Sequence, residues 1–218
     1  MRFFLRAILA LLAVPLTALA QVSPDTVANA PRPEPAVFAY LQYGDTIAME
    51  AVYGDRTIVR GAYVIPKQGR IVWDHALDST GAPGLLTLSF FPPADQGDII
   101  LRQIDFGAQA DSMIVTAQDR DGRTTETHAS RDRAVAVFGR SLTHIAYLGF
   151  HAVQARRPAM PFYLTSSGKT VEATVQAFGE TLAMSVDGLR VESDWEGGAL
   201  REVRVPSQGL VVRRLPTP

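Results

Sequence analysis

Polar and apolar positions alternate along much of the chain with the period of two that a β-strand imposes. In residues 170–177, for example, Val171, Ala173 and Val175 fall on one face, and Thr, Glu and Gln residues occupy the other. Glycine-containing turns separate such runs roughly every 8 to 12 residues. The pattern predicts an all-β, mainly antiparallel fold over residues 37–218, a large curved sheet or half-barrel of about a dozen or more strands.

One segment departs from this alternation. Residues 141–154 contain no turn residue other than Gly149, and their apolar positions recur with the helical period of 3.6. The apolar stripe consists of Leu142, Ile145, Ala146, Gly149, Ala152 and Val153. The opposite side of the helix carries His144, Tyr147, His151 and Gln154. We therefore predict one amphipathic helix at about 141–154, capped by Ser141 and packed by its stripe on the concave side of the sheet as a plug or lid.

The first 20 residues have a composition of their own. Arg2 and Arg6 lie near the start, an apolar run broken by Pro15 follows, and small residues close the segment at Ala20. This order is typical of a secretory signal peptide, here with cleavage between Ala20 and Gln21, and the run is too short for a stable membrane span. We expect a periplasmic or secreted protein whose mature form does not span a membrane.

The next residues, 21–36, contain four prolines among small and polar residues, which predicts an extended leader. The predicted domains are a signal peptide at 1–20, a Pro-rich leader at 21–36 and a single β domain at 37–218. The chain has no cysteine. Disulfides, thiol catalysis, zinc-thiolate sites and the acylated cysteine of a bacterial lipoprotein are thereby excluded.

The net charge of the chain limits the kinds of partner that it is expected to bind. The chain has 21 Lys and Arg residues against 22 Asp and Glu residues, and removal of the signal leaves a mature charge of about −3. Nucleic acid is therefore not an expected partner, because phosphate binding requires a basic excess or a basic stripe.

The catalytic motifs searched for are absent: the sequence has no GxSxG elbow and no HExxH helix. Asp74 and His75 are adjacent on a predicted strand and point to opposite faces, so they cannot form a charge-orienting pair. His144 and His151 lie about 10.5 Å apart along the helix axis, too far to share one metal ion. We predict no catalytic residues, no metal site and no cofactor.

The residues that we predict to line a ligand site are an aromatic and a histidine on one strand face, together with the polar side of the helix: Trp73, His75, His144, Tyr147 and His151. If the helix covers a cavity, these side chains are placed to line its mouth.

A short internal match has two interpretations. Residues 43–49 and 178–184 share the order aromatic, Gly, acid, Thr, aliphatic, Ala, Met. Either two strand-turn-strand units converged on the same sequence, or the sheet contains two related halves.

The signal peptide, the antiparallel strands without disulfides and the helix at 141–154 together resemble the periplasmic half-barrel proteins related to the bacterial lipoprotein-localisation factors (LolA/LolB-like). That resemblance implies an apolar concavity. The leading hypothesis is a non-catalytic binding or carrier protein for an apolar or amphiphilic ligand such as a lipid or acyl chain. The alternatives are a small envelope hydrolase that uses His75, His144 or His151 with an acid, and an envelope interaction or scaffold module. The oligomeric state is left open.

Overall fold

The computed structural model describes residues 35–54, 58–78, 83–131 and 133–216. The predicted signal peptide, its cleavage site at Ala20 and Gln21 and almost all of the predicted leader lie outside the described residues. The first strand begins at Ala36. Within the described residues, no helix is long and apolar enough to cross a membrane.

The described residues form fifteen strands and one α-helix. The strands are β1 (Ala36–Gln42), β2 (Asp45–Gly54), β3 (Ile58–Ile65), β4 (Gly69–Leu77), β5 (Pro83–Phe91), β6 (Arg102–Gln109), β7 (Ser112–Asp119), β8 (Gly122–Ala129), β9 (Val135–Val137), β10 (Ala159–Leu164), β11 (Lys169–Phe178), β12 (Thr181–Val186), β13 (Leu189–Glu196), β14 (Ala199–Val205) and β15 (Leu210–Arg214). The helix is α1 (Leu142–Gln154), and two single 3-10 turns span Ala94–Gln96 and Pro206–Gln208.

All fifteen strands belong to one sheet, in the order β8-β7-β6-β5-β4-β3-β2-β1-β15-β14-β13-β12-β11-β10-β9. The first and last strands pair in the middle, so among the described strands the ladder is interrupted only between the consecutive strands β8 and β9. Every neighbouring pair is antiparallel except β9 and β10. The predicted fold class, a mainly antiparallel sheet with a single helix, is confirmed, and the sheet is open.

The two ends of the sheet meet through side chains, and we call this contact region the seam. Strand β9 contacts β5 and β6 from across the sheet. The Tyr163 hydroxyl lies 2.9 Å from Nδ1 of His128, and the Ser130 and Thr170 hydroxyls are 3.1 Å apart. The sheet is therefore curled far enough to bring its ends into contact, although no backbone ladder joins them.

The helix lies inside this curled sheet. Parallel strands need a crossover connection, and α1 is the crossover between β9 and β10. Ser141 caps it as predicted, since its hydroxyl accepts the backbone N–H of His144 at 3.0 Å. The helix body contacts β11 to β14 on one side and β3 on another. Links of only a few residues tie both of its ends to paired strands, so α1 fills the interior as a plug.

One part of the helix prediction is wrong. The period of the apolar stripe placed His144 on the side facing away from the sheet, but His144 is fully buried. The physical reason is the curl of the sheet, because strands β1 to β4 approach α1 from the side opposite to β11 to β14. The hydrophobic stripe indicates only the strands that it packs against, β11 to β14, whereas this helix also packs against β1 to β4 on its other side.

The short internal match does not mark two equivalent halves. Ala48 is buried whereas its counterpart Ala183 is half-buried, and Met184 is buried whereas Met49 is half-buried. The turn residues are 43–44 in one copy and 179–180 in the other, so the strands that follow are offset by one residue. Because side chains alternate along a strand, an offset of one turns every matched residue to the other face. The structure favours convergence.

Candidate functional site

A buried glutamate links the sheet to the start of the helix. Strand β2 turns Ala48, Glu50 and Val52 inward, and Glu50 is 1% exposed. Its Oε2 accepts hydrogen bonds from the hydroxyls of Tyr40 and Thr143, both at 2.5 Å. Its Oε1 accepts from the indole N–H of Trp73 at 2.6 Å. Three elements, β1, β4 and α1, thus converge on one carboxyl group.

Tyr40 completes the attachment of the helix. Besides donating to Glu50, its hydroxyl accepts the backbone N–H of Leu142 at 3.0 Å. The first N–H groups of a helix have no partner within the helix, and the helix dipole is positive at this end. A tyrosine hydroxyl that donates to a carboxylate is well suited to accept from such a group. The arrangement therefore fixes the position of the N-terminal turn of α1.

Burial and hydrogen bonding act in opposite directions on this carboxyl group. Burial raises the pKa of Glu50, whereas the hydrogen bonds from Thr143, Tyr40 and Trp73 lower it, and the net direction is upward. Burial also raises the pKa of Tyr40 well above 10, and the nearby Glu50 raises it further. Tyr40 therefore remains a hydrogen-bond donor over the whole physiological range.

Next to this cluster, two histidines form a hydrogen-bonded pair. Nδ1 of His75 lies 2.7 Å from Nε2 of His144, and both residues are completely buried. The Phe138 backbone N–H donates to Nδ1 of His144 at 3.3 Å, so a neutral His144 carries its proton on Nε2 and donates it to His75. His75 then carries its own proton on Nε2. That atom is buried with no hydrogen bond of good geometry among the described residues, near the backbone of Gly84.

Both imidazoles are held neutral. Burial lowers the pKa of His75 from 6.5 to about 4; the backbone of Gly84 acts to raise it, and the nearby His151 lowers it further. Burial also lowers the pKa of His144 well below 6.5, and the proximity of His75 adds to that effect. A second proton on either ring would remove an acceptor that a neighbouring N–H group uses, which explains why the pair resists protonation.

The five residues predicted to line a ligand site lie in two places. Trp73, His75 and His144 are in contact, with the Trp73 and His144 ring centroids 4.5 Å apart. Tyr147 is half-buried and packs edge-on against the Trp195 ring.

The fifth predicted residue, His151, lies further along α1, half-buried, and burial lowers its pKa. None of the five lines the apolar groove or the smaller adjoining cavity described below. That a ligand contacts them stays a prediction.

Sequence reasoning missed Glu50, Tyr40 and Thr143. The available signal was the acid at an inward position of an alternating strand, between Ala48 and Val52. A buried acid is costly unless it is hydrogen-bonded, so this position alone predicts partners inside the fold. Their identity was not predictable, because Thr143 lies 93 residues away in the chain.

An apolar groove of about 690 Å³ opens beside the plug. Its floor comes from β4 to β6, and its far wall comes from the link between β9 and α1 and from the turn after β10. The lining side chains that carry its apolar character are Ile71, Leu88, Phe90, Leu101, Ile104, Phe106 and Phe138. Arg70, Arg140, Gln68, Thr165 and Ser166 supply its polar groups.

A smaller cavity of about 340 Å³ adjoins this groove and shares Ile104, Phe106 and Thr165 with it. It is lined by a Glu126–His128–Tyr163 chain at the seam. Nε2 of His128 lies 3.0 Å from the Glu126 carboxylate, and Nδ1 lies 2.9 Å from the Tyr163 hydroxyl. Among the described residues, no cluster of three or more His, Asp or Glu side chains is arranged to hold a metal ion.

These features define an open, barrel-like antiparallel β domain with an enclosed helix and an apolar groove. No family model matches the chain, and no curated protein matches it. The solved structures that match include a beta-barrel-like protein of the domain of unknown function DUF1849 from Brucella abortus, at 13% identity and a TM-score of 0.40. That alignment covers 84% of this chain and 95% of the other. The likeness concerns the fold alone and carries no argument about function.

Proposed function

We propose that this protein is a non-catalytic binding or carrier protein for an apolar or amphiphilic ligand, such as a lipid or acyl chain. The observation that carries the proposal is the groove beside the plug. Pockets for small ligands are concave, predominantly apolar and supplied with a few polar groups, and this groove has all three properties. Its volume of about 690 Å³ is in the usual range for such sites.

The groove is also accessible while the interior is filled. Glu50, His75 and His144 have almost no exposed surface, and a Cβ atom added to Gly61 would lie 2.3 Å from the Trp73 ring. We therefore place the ligand in the groove. An open curved sheet with an enclosed helix is also the architecture on which the resemblance to the lipoprotein-localisation factors rests. That resemblance supports the same class of ligand.

Residues 1–20 support a periplasmic or secreted location for this activity. Sequencing the N-terminus of protein recovered from the envelope or the medium should give a chain that starts at Gln21. Retention of the first 20 residues in all fractions would contradict the periplasmic or secreted location. It would not bear on the ligand proposal, which is tested separately.

The ligand proposal is tested by native mass spectrometry of the purified mature protein, with extraction of bound lipid. We expect co-purified lipid, and saturable binding of the uncharged fluorescent probe N-phenyl-1-naphthylamine after delipidation. Protein that is recovered free of ligand and binds no probe would overturn the proposal.

A matched pair of leucines locates the binding site. Leu101 lines the groove and is 41% exposed, whereas Leu85 on β5 is 47% exposed and does not line it. Leu101→Gln should weaken probe binding about fivefold, because roughly half of a leucine side chain is worth about 1 kcal/mol when buried by a ligand. Leu85→Gln should leave binding unchanged. Equal effects of the two substitutions would place the ligand elsewhere.

A second candidate function, hydrolysis of an envelope ester, is favoured by the Glu126–His128–Tyr163 chain in the adjoining cavity. The Tyr163 hydroxyl would attack the ester carbonyl and pass its proton to Nδ1 of His128, with Glu126 holding the imidazolium. His128 would then return the proton to the departing alcohol as the ester C–O bond breaks, and water would hydrolyse the acyl-tyrosine to release the fatty acid. Burial and the nearby Glu126 raise the pKa of Tyr163, which weakens it as a nucleophile, so this function ranks second. Release of fatty acid from a bound ester by the wild type and not by His128→Gln would establish it.

The third candidate, an interaction module, is favoured by three consecutive exposed apolar residues, Ile99, Ile100 and Leu101, which are 70%, 50% and 41% exposed. The substitution Ile99→Asp distinguishes this candidate from the ligand-binding proposal. Loss of self-association or partner binding in this variant, with unchanged probe binding, would support an interaction surface. If the wild type and the variant are both monomeric and bind no partner, the interaction module is contradicted.

A further inference from the structure

We propose that the ligand of the groove is an amphiphile with an anionic headgroup, a carboxylate or a phosphate, and that Arg70 and Arg140 bind this headgroup. The inference rests on the proposed function, because it assigns the chemical class of ligand for the same groove.

The first observation is the charge of the lining. Arg70 and Arg140 both line the groove, and no Asp or Glu side chain does. The other polar lining residues, Gln68, Thr165 and Ser166, are uncharged. The chain as a whole carries a net charge of −1, so a lining with two positive charges and no negative one is unlike the rest of the molecule. An apolar surface next to two guanidinium groups, with no carboxylate in the same lining, complements an acyl chain with a negative end.

The second observation is the state of Arg70. The residue lies on β4 opposite Phe91 of β5, and its guanidinium carbon is 4.3 Å from the centre of the Phe91 ring. The ring fixes the guanidinium plane and leaves its edge free to donate. Nε of Arg70 is buried and has no hydrogen-bond partner among the described residues. A buried N–H group without an acceptor is unfavourable, and an oxygen of a bound anionic headgroup is the kind of acceptor that would satisfy it.

The acid that pairs with Arg70 is easily displaced. Nη2 of Arg70 donates to Asp98 at 3.0 Å, but the Asp98 side chain is 82% exposed and lies outside the groove lining. Exposed ion pairs of this kind contribute little to stability. The carboxylate or phosphate of a ligand whose chain is bound in the groove therefore has the advantage over Asp98.

Arg140 is available without displacing any group. It is exposed, it follows Gly139 in the link between β9 and α1, and it forms no ion pair with any described residue. Burial raises the pKa of Tyr63, and the charge of Arg140 opposes that rise, which places Arg140 near this region of the sheet. The hydroxyls of Thr165 and Ser166 line the same groove and are further donors to a phosphate or carboxylate oxygen.

The test uses ligands that share one dodecyl chain and differ only in the headgroup: tridecanoate, dodecyl phosphate, dodecyl maltoside and dodecyltrimethylammonium. Each is titrated, below its micelle concentration, against N-phenyl-1-naphthylamine bound to the purified protein. We expect the two anions to displace the probe at about tenfold lower concentration than the maltoside, and the cation to be weakest, because the charge-assisted hydrogen bonds are made only with an anion. The two anion titrations show whether carboxylate or phosphate is the natural headgroup.

Variants assign the preference to the arginines. Arg70→Gln and Arg140→Gln should each weaken binding of the preferred anion about tenfold and leave the maltoside unchanged. Asp98→Asn should strengthen anion binding, because it removes the group that competes for Arg70. Arg190→Gln is the control, since Arg190 lies on β13 outside the groove and pairs with Glu192. Unchanged probe binding shows in each variant that the groove is intact.

The outcomes separate the two proposals. Equal affinity for all four headgroups, or a preference that survives both arginine substitutions, overturns the anionic headgroup and leaves the apolar groove in place. Failure of all four compounds to displace the probe, or failure of the probe to bind, overturns the proposed function as well.

Discussion

Acid should destabilise this protein through its buried histidine pair. The pKa of His75 is about 4 in the folded state and 6.5 in the unfolded chain, so unfolding takes up a proton between these two values. The contribution of His75 to the free energy of unfolding is therefore fully present above about pH 7 and is lost as the pH drops through 6.5. The loss from His75 is about 2–3 kcal/mol between about pH 7.5 and 4.5, at about 1.4 kcal/mol per pH unit in the steep part.

Two other buried groups modify the profile. The lowered pKa of His144 has the same sign, so it adds to the loss in acid. The raised pKa of Glu50 has the opposite sign, because the folded form then binds more protons than the unfolded chain just above pH 4.5. The total slope is a sum of all three, and only a comparison with a variant isolates the contribution of His75.

The variant is His75→Asn. The asparagine Oδ1 takes the place of Nδ1 of His75, keeps an acceptor for His144 and cannot titrate. The control is Val59→Ala, because Val59 is buried and lies directly opposite His75 on β3. It removes packing next to the pair and no proton-binding group.

Urea unfolding is measured at a series of pH values by the fluorescence of the two tryptophans, of which Trp73 contacts His144. The loss of stability between about pH 7.5 and 4.5 should be about 2–3 kcal/mol smaller in His75→Asn than in the wild type, and unchanged in Val59→Ala. If the wild type and His75→Asn lose stability in parallel over this range, the reasoning about the buried pair is refuted.

Two glycine substitutions should have opposite outcomes. Gly61→Ala places a Cβ atom 2.3 Å from the Trp73 ring, which is held in place by hydrogen bonding, so it should lower the free energy of unfolding by about 1–3 kcal/mol. Gly54→Ala is its control, because the added Cβ meets only contacts of 3.8 Å or longer. Gly149→Ala meets the terminal methyl of Met184, which can move aside, and gains up to about 1 kcal/mol of helix propensity. Thermal unfolding of the three variants checks both expectations. The packing described above would be contradicted if Gly61→Ala were as stable as Gly54→Ala, or if Gly149→Ala were destabilised by more than about 2 kcal/mol.

The strands and the helix were predictable because each depends on a local period. The helix was predicted at 141–154 and spans Leu142–Gln154, with Ser141 as its cap. The curl of the sheet depends on contacts between its ends, which no local pattern records. That is also why the side of the helix that carries His144 was expected to face away from the sheet, although it is buried.

The candidate site was predictable only in its components. His75 and His144 are 69 residues apart in the chain, and their pairing follows from the crossover of α1 through the sheet. The resemblance implied an apolar concavity, but the residues that line this groove were not predicted, since each strand or turn contributes only one to three of its side chains. A pocket assembled from so many segments leaves no contiguous signal. The inward acid at Glu50 was the one local feature that indicated a buried polar cluster.

The missing ladder at the seam has a mechanical consequence. In a closed barrel, the number of strands and their stagger determine the diameter. Here the ends of the sheet are joined by side-chain contacts such as that between Tyr163 and His128, so the circumference can expand without the loss of a backbone hydrogen bond. The groove takes side chains from β4 to β6 and from the link between β9 and α1, which belong to the two halves of the sheet on either side of the seam. A displacement of these halves against each other would change the width of the groove, and it would break side-chain contacts at the seam but no strand pairing among the described residues.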